Sequence, residues 1–369
     1  MKILVVNRLF DGVSGGVERM TIALMNEMSN RGHQVHLLSW DQANANTRYP
    51  LSDKVVWYRL NMGDARKKAG FWLRLKRQLA IRKLISSLHP DVVIAFQHGP
   101  FFTISTSLLG LGIPVVAAER SAPDRFEHVR AKKWKSIIFQ SFRLADCITI
   151  QSPDFISGYP AYLRERILCI PNPVRPARAM AEPGMNPGTK QLLCVGRLSY
   201  PKNQAVLIKA FSKLANALPD WQLVLVGDGE DEFDLKQLAT STGLIDRVSF
   251  VSATTDIERF YIYSHLFCLP SYWEGFPNAL AEAMAHGLPA VGFADCAGVR
   301  QLIMHGKSGF LAEGNGSVES LAAALLPLMQ DAVLRRRMGA EAIVSMTAYA
   351  PEAIFNQWEA GLQKLVHHG

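Results

Sequence analysis

Two glutamates, Glu274 and Glu282, stand in residues 271–284, which read SYWEGFPNALAEAM. The apolar run LFCLP before this segment predicts a buried strand that ends at a turn carrying Glu274. A helix should begin at Pro277, and its first N–H groups and its dipole would favour a phosphate. Glu274 before the helix and Glu282 within it would then reach hydroxyls on either side of that phosphate. This arrangement suits a nucleotide sugar; the alternative is that Glu282 is an exposed helix carboxylate.

A second candidate site follows the apolar run QLLCVG at residues 191–196, where the chain continues RLSYPKN. Arg197 offers a planar guanidinium with several donors, and Lys202 offers a compact ammonium. Together these cations would neutralise a diphosphate and stabilise the charge that develops on a leaving nucleoside diphosphate. The alternative is that both are surface charges beside a turn.

Glycines also follow the first apolar run, because residues 12–18 read GVSGGVE and open a helical pattern. Backbone N–H groups at Gly15 and Gly16 would approach an anion closely, since neither residue has a side chain. The spacing matches neither G-x-G-x-x-G nor a Walker loop, which argues against a nicotinamide cofactor and against a P-loop. A tight turn without a ligand is the other interpretation.

Each candidate follows a short apolar run, and these runs alternate with helical patterns along most of the chain. This alternation predicts parallel sheets covered on both faces, which is an α/β fold. It breaks at residues 174–190, where three prolines and two glycines mark a linker. We therefore predict two doubly wound, Rossmann-like domains, residues 1–175 and 176–349, with an amphipathic helix at 350–369 crossing back to the first. The candidate residues are expected to face a cleft between the domains, because ligands of such sheets bind beyond the strands' carboxyl ends.

The E-x7-E of Glu274 and Glu282 and the segment GRLSYPKN resemble the retaining glycosyltransferases of family 4, which have the two-domain GT-B fold. The resemblance implies an acceptor-binding first domain and a second domain that binds the nucleotide sugar. It assigns donor-sugar hydroxyls to Glu274, the nucleotide ribose to Glu282, and the diphosphate to Arg197 and Lys202. It also makes the glycine loop with Gly15 and Gly16 a contact of the donor phosphates and the acceptor. Five further residues are expected to line the donor site: Gly275, Phe276, Pro277, Asn278 and Ala279.

His98 and Glu119 follow two other apolar runs, DVVIAF and PVVAA. Members of the family often carry a histidine or an E-R-N triplet near the sugar or the acceptor, and here the triplet is ERS. We therefore predict that both residues serve catalysis, with a purely structural role as the alternative. The turn GDGE at residues 227–230 fits a tight strand-to-helix connection at least as well as a ligand contact.

Charge is unevenly distributed over the 369 residues, since residues 1–175 hold 25 Lys/Arg against 13 Asp/Glu and residues 176–369 hold 15 against 19. Residues 66–90 alone carry eight Lys/Arg interleaved with aromatic and aliphatic side chains, and residues 131–143 repeat the mixture. Such segments suit contact with anionic lipid headgroups. An ordinary helix with a basic solvated face is the alternative. A nucleic-acid partner is not expected, because no helix-turn-helix, zinc or RNP-type signature occurs and the second half is acidic.

Five widely spaced cysteines predict buried thiols in a reducing cytosol. The sequence contains no run of about 18 apolar residues, so no membrane span is predicted. Localisation in the cytoplasm is expected, with peripheral contact to the cytoplasmic face of the inner membrane. No CxxC pair or HExxH motif occurs, and the acidic segment DGEDEFD lacks Asp-x-Asp, so neither a catalytic metal nor any other cofactor is expected.

The sequence therefore predicts a retaining, metal-independent glycosyltransferase that moves a hexosyl or N-acetylhexosaminyl unit. The expected donor is a nucleoside diphosphate sugar, more specifically a UDP-sugar. The expected acceptor is lipid-linked or a polysaccharide, in the synthesis of a cell-envelope glycan. A nucleotide-sugar epimerase or hydrolase on the same fold is the alternative.

Overall fold

Short runs rich in Val, Ile and Leu form the strands of two parallel sheets, each in its own structural unit. The structure is a computed structural model that describes residues 1–13, 15–123, 125–128, 133–184 and 188–368. Unit 1 comprises Met1–Pro173 and Glu352–Gly369, and unit 2 comprises Val174–Pro351. Ser14 of the glycine loop, residues 131 and 132 of the second basic segment and residues 185–187 of the linker lie outside the described residues.

Unit 1 contains, in its described residues, a seven-stranded parallel sheet in the order β3-β2-β1-β4-β5-β6-β7. Its strands are β1 (Lys2–Val6), β2 (Gln34–Ser39), β3 (Val56–Arg59), β4 (Val92–Phe96), β5 (Val115–Ala118), β6 (Cys147–Ile150) and β7 (Ile167–Cys169). Its helices are α1 (Gly16–Asn30), α2 (Phe71–Leu88), α3 (His98–Leu108), α4 (Arg125–His128), α5 (Lys135–Ser141), α6 (Ala161–Arg164) and α14 (Pro351–His368). Every residue of β4 is fully buried, as expected for a central strand covered on both faces.

Unit 2 contains, over its described part, a six-stranded parallel sheet in the order β10-β9-β8-β11-β12-β13. Its strands are β8 (Lys190–Val195), β9 (Trp221–Val226), β10 (Val248–Val251), β11 (Leu266–Leu269), β12 (Ala290–Phe293) and β13 (Gly309–Ala312). Its helices are α7 (Gln204–Ala215), α8 (Glu232–Ser241), α9 (Glu258–Tyr263), α10 (Asn278–Ala285), α11 (Ala297–Leu302), α12 (Val318–Gln330) and α13 (Ala332–Met346). The prediction of an α/β fold with two doubly wound parallel sheets is confirmed.

Both sheets reverse their direction of winding at one point, between β1 and β4 in unit 1 and between β8 and β11 in unit 2. Connections leave the two strands of such a pair on opposite sides, so a crevice opens beyond their carboxyl ends. In unit 2, Leu266 and Phe267 of β11 pair with Leu192 and Leu193 of β8. The loops that follow β8 and β11 therefore start side by side.

The last helix, α14, belongs to unit 1 because its apolar face completes that unit's core. Ile354, Phe355, Trp358 and Leu362 are all buried there. The helical conformation is interrupted at Ala350, directly before α14. Helix α14 then starts with Pro351, in the first-turn position that tolerates proline.

Three strands, β3, β7 and β13, were not apparent from the sequence. Each forms an edge of its sheet. Edge strands are short and partly solvated, so they lack the continuous apolar run that marks a central strand. In the described part of the chain, no helix combines the length and the apolar character needed to cross a membrane.

Candidate donor site in unit 2

The loops after β8 and β11 meet at the point where the sheet of unit 2 changes its winding direction. The loop after β8 ends in a single 3-10 turn, Tyr200–Lys202. The backbone N–H of Tyr272, in the loop after β11, donates to the carbonyl oxygen of Pro201 at 2.9 Å. The rings of Tyr200 and Tyr272 also pack against each other, with centroids 5.1 Å apart. These contacts hold two loops that are distant in sequence against each other.

Lys202 and Glu274 also join these two loops, because Nζ of Lys202 lies 2.5 Å from Oε1 of Glu274. The Ser271 hydroxyl donates to the same oxygen at 2.7 Å. Glu274 is only 9% exposed, so its carboxylate has exchanged most of its water for these two donors. The structure thus brings together two of the residues that the sequence analysis placed at the donor.

Helix α10 starts directly beyond this ion pair. Its N-cap is Pro277, one position before the first helical residue, and the proline side chain has no oxygen that could cap the first turn. Phe276 and Pro277 are buried, whereas Gly275, Asn278 and Ala279 are partly exposed.

A glycine from a neighbouring helix keeps this turn in place. At Gly298 in α11, a Cβ atom would lie 2.7 Å from the Glu274 carbonyl oxygen, closer than real Cβ atoms approach. Only glycine lets α11 pack this closely against the backbone that carries Glu274.

Glu282 lies within α10, on the helix side that faces α9. The hydroxyl of Tyr261, which is buried in α9, donates to Oε2 of Glu282 at 3.1 Å. The side chain of Glu282 is therefore oriented by a neighbouring helix, and it is half-buried rather than fully exposed.

Arg197 is more exposed than Lys202 and pairs with a different carboxylate. Its Nη2 lies 3.0 Å from Oε2 of Glu230, and both side chains are more than half exposed. An exposed pair of this kind contributes at most about 1 kcal/mol, so a ligand can displace it easily. A backbone hydrogen bond, and then the charge of Arg197, hold the pKa of Glu230 below its usual value.

The GDG turn positions the Arg197 loop by close backbone contact. A Cβ at Gly227 would lie 2.1 Å from the carbonyl oxygen of Gly196, and one at Gly229 would lie 1.9 Å from that of Leu198. The N–H of Leu198 donates to the Asp228 carbonyl oxygen at 3.0 Å. Both glycines therefore have a packing role, which agrees with the tight-turn interpretation.

In unit 1 the glycine loop lies next to the carboxylate of Glu18, a residue of the following helix α1. Gly15 is the N-cap of α1, and a Cβ there would lie 2.4 Å from Oε2 of Glu18. Glu18 is buried, and this burial raises the pKa of its carboxyl group. The N–H groups at this helix start, where Gly16 is the first residue, thus have an internal anion next to them.

His98 and Glu119 also lie in unit 1, at the carboxyl ends of the neighbouring strands β4 and β5. The buried Glu119 carboxylate accepts the backbone N–H of His98 and pairs with Nη2 of Arg125 at 3.3 Å. Burial raises the pKa of Glu119, while Arg125 and Arg120 lower it. The His98 ring makes a 2.9 Å hydrogen bond with the Ser141 hydroxyl, and burial, followed by Arg125, lowers its pKa. The structure brings these two residues together within unit 1.

Sequence reasoning overlooked three residues that position Glu274 and Glu282 at the candidate site: Tyr261, Ser271 and Gly298. Ser271 stands three residues before Glu274, a spacing that was visible. Tyr261 lies in another helix and reads as an ordinary core aromatic, and Gly298 lies in a segment without any motif. Across the described residues, no group of three or more His, Cys, Asp or Glu side chains is arranged to hold a metal ion.

Two protein-family models match the chain, one for each unit. The model of glycosyl transferases group 1 matches residues 177–344, and that of Glycosyltransferase Family 4 matches residues 14–178.

Two curated relatives match over most of their length. An uncharacterized glycosyltransferase of Haemophilus influenzae is 28% identical over 350 residues, which are 94% of this chain and 96% of the relative. The GalNAc-α-(1→4)-GalNAc-α-(1→3)-diNAcBac-PP-undecaprenol α-1,4-N-acetyl-D-galactosaminyltransferase of Campylobacter jejuni is 23% identical over 328 residues, 88% of each chain.

Solved structures show the same fold at lower identity. Sucrose-phosphate synthase of Thermosynechococcus elongatus superposes with a TM-score of 0.85 at 19% identity, covering 100% of this chain and 99% of that one. HepE of Anabaena, solved in complex with UDP and glucose, superposes with a TM-score of 0.78 at 20% identity, covering 98% and 99%. With the two family models spanning residues 14–344 between them, the chain belongs to family 4 of the glycosyltransferases and is a glycosyltransferase of the GT-B fold.

Proposed function

We propose that the protein is a retaining glycosyltransferase that takes a hexosyl or N-acetylhexosaminyl unit from a UDP-sugar bound in unit 2. The ion pair of Lys202 and Glu274, at the meeting point of the loops after β8 and β11, carries this proposal. It sets a cation for phosphate beside a carboxylate for sugar hydroxyls. HepE, with the same fold, was solved with UDP and glucose, which supports a uridine nucleotide and a hexose.

Catalysis in this proposal consists of positioning and of charge stabilisation. The bond between the sugar C1 and the diphosphate oxygen breaks, and the incoming acceptor oxygen forms its bond to C1 on the same face. The acceptor proton passes to the leaving phosphate. Lys202, Arg197 and the N-terminus of α10 stabilise the charge on the departing diphosphate. These protein groups supply the positive charge, so we propose that neither a metal nor another cofactor takes part.

The two carboxylates have different roles in this proposal. Glu274, held by Lys202 and Ser271, accepts hydrogen bonds from hydroxyls of the transferred sugar. Glu282, oriented by Tyr261, accepts hydrogen bonds from the ribose. His98 and Glu119 are proposed to act from unit 1, near the sugar or the acceptor, and Gly15 and Gly16 to contact the donor phosphates.

The proposed acceptor is a lipid-linked or polysaccharide glycan of the cell envelope. The name of the Campylobacter jejuni relative specifies a saccharide linked through diphosphate to undecaprenol, which supports a lipid-linked acceptor. Such an acceptor brings the enzyme to a membrane surface.

Helix α2 supports peripheral contact with an anionic membrane. Phe71 and Trp72 are each 73% exposed and Leu79 is 60% exposed, whereas Arg77 of the same helix is buried. An aromatic and aliphatic stripe thus faces outward, flanked by the exposed Lys76 and Lys83. Trp134 and Ile137, in the described part of the second basic segment, are also exposed. We propose contact through both segments, at the cytoplasmic face of the inner membrane; the five free cysteines fit a reducing cytoplasm.

Two experiments test the proposed function. Incubation with UDP-sugars and a lipid-linked acceptor, with EDTA present, should give a glycoside whose anomeric configuration matches that of the donor, as read from NMR coupling constants. Inversion would refute the retaining mechanism, and loss of turnover in EDTA would refute metal independence. Conversion of the donor at an equal rate without acceptor would instead favour an epimerase or a hydrolase.

Co-sedimentation with vesicles tests the membrane contact. Binding to phosphatidylglycerol vesicles at low salt should fall in a variant carrying Trp72→Ser and Leu79→Ser, and it should remain in a Val333→Ser control, which alters an exposed residue of unit 2. Absence of binding by the wild type would remove the membrane from the proposal.

A further inference from the structure

The imidazole ring of His98, at the start of α3 in unit 1, is held by three neighbouring side chains. The ring of Phe102, one turn further along the same helix, stacks on it with centroids 6.2 Å apart and an interplanar angle of 27°. The ring of Phe142 lies nearly perpendicular to it, with centroids 5.6 Å apart. The third contact is the 2.9 Å hydrogen bond between Nε2 of His98 and the Ser141 hydroxyl. These contacts fix the orientation of the ring, because rotation by half a turn would point a carbon atom at Ser141.

Ser141, the last residue of α5, has a single hydroxyl proton, and the end of this helix uses it. The hydroxyl donates to the carbonyl oxygen of Ile138 at 2.7 Å. In a continuing α-helix that carbonyl would accept the N–H of Phe142, but this N–H points to the next two carbonyl oxygens along the chain. The last carbonyl groups of a helix need donors from side chains or from water, and the buried serine supplies one here. Only the lone pairs of the Ser141 oxygen therefore remain for His98.

This hydrogen-bond direction determines the tautomer of His98. Because the Ser141 oxygen accepts, Nε2 of His98 donates and carries a proton, so in the neutral ring the free lone pair lies on Nδ1. Burial, and then the charge of Arg125, lower the pKa of His98, which favours the neutral ring. Among the described residues, none forms a hydrogen bond with Nδ1. The half-buried ring thus offers a ligand an acceptor and not a donor.

The free lone pair on Nδ1 decides which ligand group His98 can recognise. A hydroxyl can donate a hydrogen bond to it, whereas the oxygens of an ionised diphosphate carry no proton to donate. The Arg125 charge that contributes to the lowered pKa is held by the buried Glu119 carboxylate at 3.3 Å, so this charge has a fixed position too. His98 is therefore suited to a sugar hydroxyl rather than to a phosphate.

We infer that Ser141 is a positioning residue of the transfer reaction, because it holds His98 in the tautomer whose Nδ1 accepts a hydrogen bond from a sugar hydroxyl. The inference rests on the proposed function, in which His98 acts near the sugar or the acceptor. The hydroxyl belongs either to the transferred sugar or to the acceptor, and its chemistry is the same in both. Ser141 itself touches neither substrate and acts through His98 alone.

NMR of the full chain labelled with ¹⁵N-histidine tests the tautomer without any assay of activity. At pH 7.5, long-range ¹H–¹⁵N correlations should place the His98 proton on Nε2 and leave Nδ1 unprotonated, the signals being identified by their loss in His98→Gln. Ser141→Ala should give a mixture of the two tautomers, and Ser141→Thr, which keeps the hydroxyl, should match the wild type. Ser107→Ala is the control, because the buried Ser107 hydroxyl donates to the carbonyl oxygen of Thr103 at 2.8 Å. A proton on Nδ1 in the wild type, or an unchanged tautomer in Ser141→Ala, overturns the inference.

Kinetics test whether this tautomer serves the transfer. In Ser141→Ala, kcat should fall about three- to tenfold, as expected for the loss of one hydrogen bond, while the Kd for UDP stays unchanged. Ser141→Thr should restore kcat, and Ser107→Ala should behave like the wild type. A wild-type kcat in Ser141→Ala would refute the positioning role.

Ligand titrations identify which hydroxyl meets His98. The Nδ1 signal is compared between the complex with UDP and complexes with UDP-glucose, UDP-galactose and their N-acetylhexosamine counterparts. A shift with one of these UDP-sugars assigns the hydroxyl to the transferred sugar. A shift only when a methyl glycoside of one of these sugars is added to the UDP complex assigns it to the acceptor. Absence of any shift in a protein that binds UDP overturns this inference alone, whereas failure to bind UDP overturns the proposed donor site.

Discussion

The Lys202 ammonium lies 2.5 Å from Oε1 of Glu274, and this contact connects the loop after β8 to the loop after β11. A lysine has three N–H donors, so the pair leaves Lys202 able to bind a phosphate as well. The same contact orients the largely buried carboxylate of Glu274. In the proposed function, binding of the nucleotide and recognition of the sugar are therefore coupled through this ion pair.

Glu274→Gln should separate nucleotide binding from sugar transfer. The amide loses the charged acceptor for sugar hydroxyls, so kcat should fall about 10- to 100-fold. The affinity for UDP should be kept or increased, because Lys202 loses its competing anion. Steady-state kinetics and calorimetry give the two quantities, with Glu319→Gln, which changes an exposed carboxylate of the same unit, as the control. A variant with wild-type kcat would remove Glu274 from the sugar site.

Tyr261→Phe should weaken nucleotide binding without changing a residue that is proposed to touch the ligand. Loss of the hydroxyl removes a hydrogen bond that orients Glu282, and we expect the Kd for UDP to rise three- to tenfold. Glu282→Ala should weaken it further. Tyr263→Phe, in the same helix but 66% exposed, is the matched control. Equal UDP affinities in all of these proteins would contradict the ribose role of Glu282.

Glu230→Gln should tighten the binding of UDP. Arg197 is paired with Glu230 in the free protein, and a diphosphate must compete with this exposed carboxylate. Since such a pair contributes at most about 1 kcal/mol, the gain in affinity should be up to about fivefold. Glu232→Gln, which breaks the neighbouring pair with Lys236, should leave the affinity unchanged. Weaker binding in Glu230→Gln would show that Glu230 itself assists the nucleotide.

The stability of unit 2 should fall in mild acid because of His265. Burial, followed by the charges of Arg335 and Lys190, lowers the pKa of this histidine to about 4 from an ordinary value of 6.5. Its Nδ1 accepts the Gln191 N–H, so the folded unit needs the neutral ring. The corresponding stability is complete above about pH 6.5 and is lost as the pH falls toward 4, about 2 kcal/mol being lost by pH 5.

Urea unfolding at pH 7.5 and pH 5 measures this loss. His265→Asn, whose amide oxygen can accept the same N–H at any pH, should show a smaller difference between the two pH values. The exposed His367→Asn, in α14, should behave like the wild type. An undiminished pH dependence in His265→Asn would assign the acid sensitivity to other groups.

Much of the architecture was predictable because central parallel strands are covered on both faces. The apolar runs of β4 and β11 have no polar alternation and are bounded by turn residues, so their position and their class were evident. Strands at the sheet edges, such as β3, are half solvated and carry no comparable signal. The number of strands could therefore not be predicted from the sequence, because edge strands depend on tertiary contacts. The fold class could be predicted without those contacts.

Residues of the candidate site were predictable where a charged side chain lies in the loop after a strand. Lys202 and Glu274 lie in the loops that follow β8 and β11. Because loops at the carboxyl ends of parallel strands lie along the same edge of a sheet, the sequence predicts that the two residues lie near each other. The partner that orients Glu282 could not be found in this way, because Tyr261 is an aromatic residue whose buried surface suggests core packing. Only the structure shows that its hydroxyl donates to Glu282.

Calorimetric titration of UDP into the wild type and into Lys202→Ala tests the central claim most directly. The wild type should bind one UDP per chain, and Lys202→Ala should bind at least tenfold more weakly and lose about 10²- to 10³-fold in turnover, because it lacks a cation that stabilises the diphosphate. Lys213→Ala, which breaks an exposed pair with Glu319, should bind UDP as the wild type does. Absence of UDP binding by the wild type, or equal affinity in Lys202→Ala, would contradict the account.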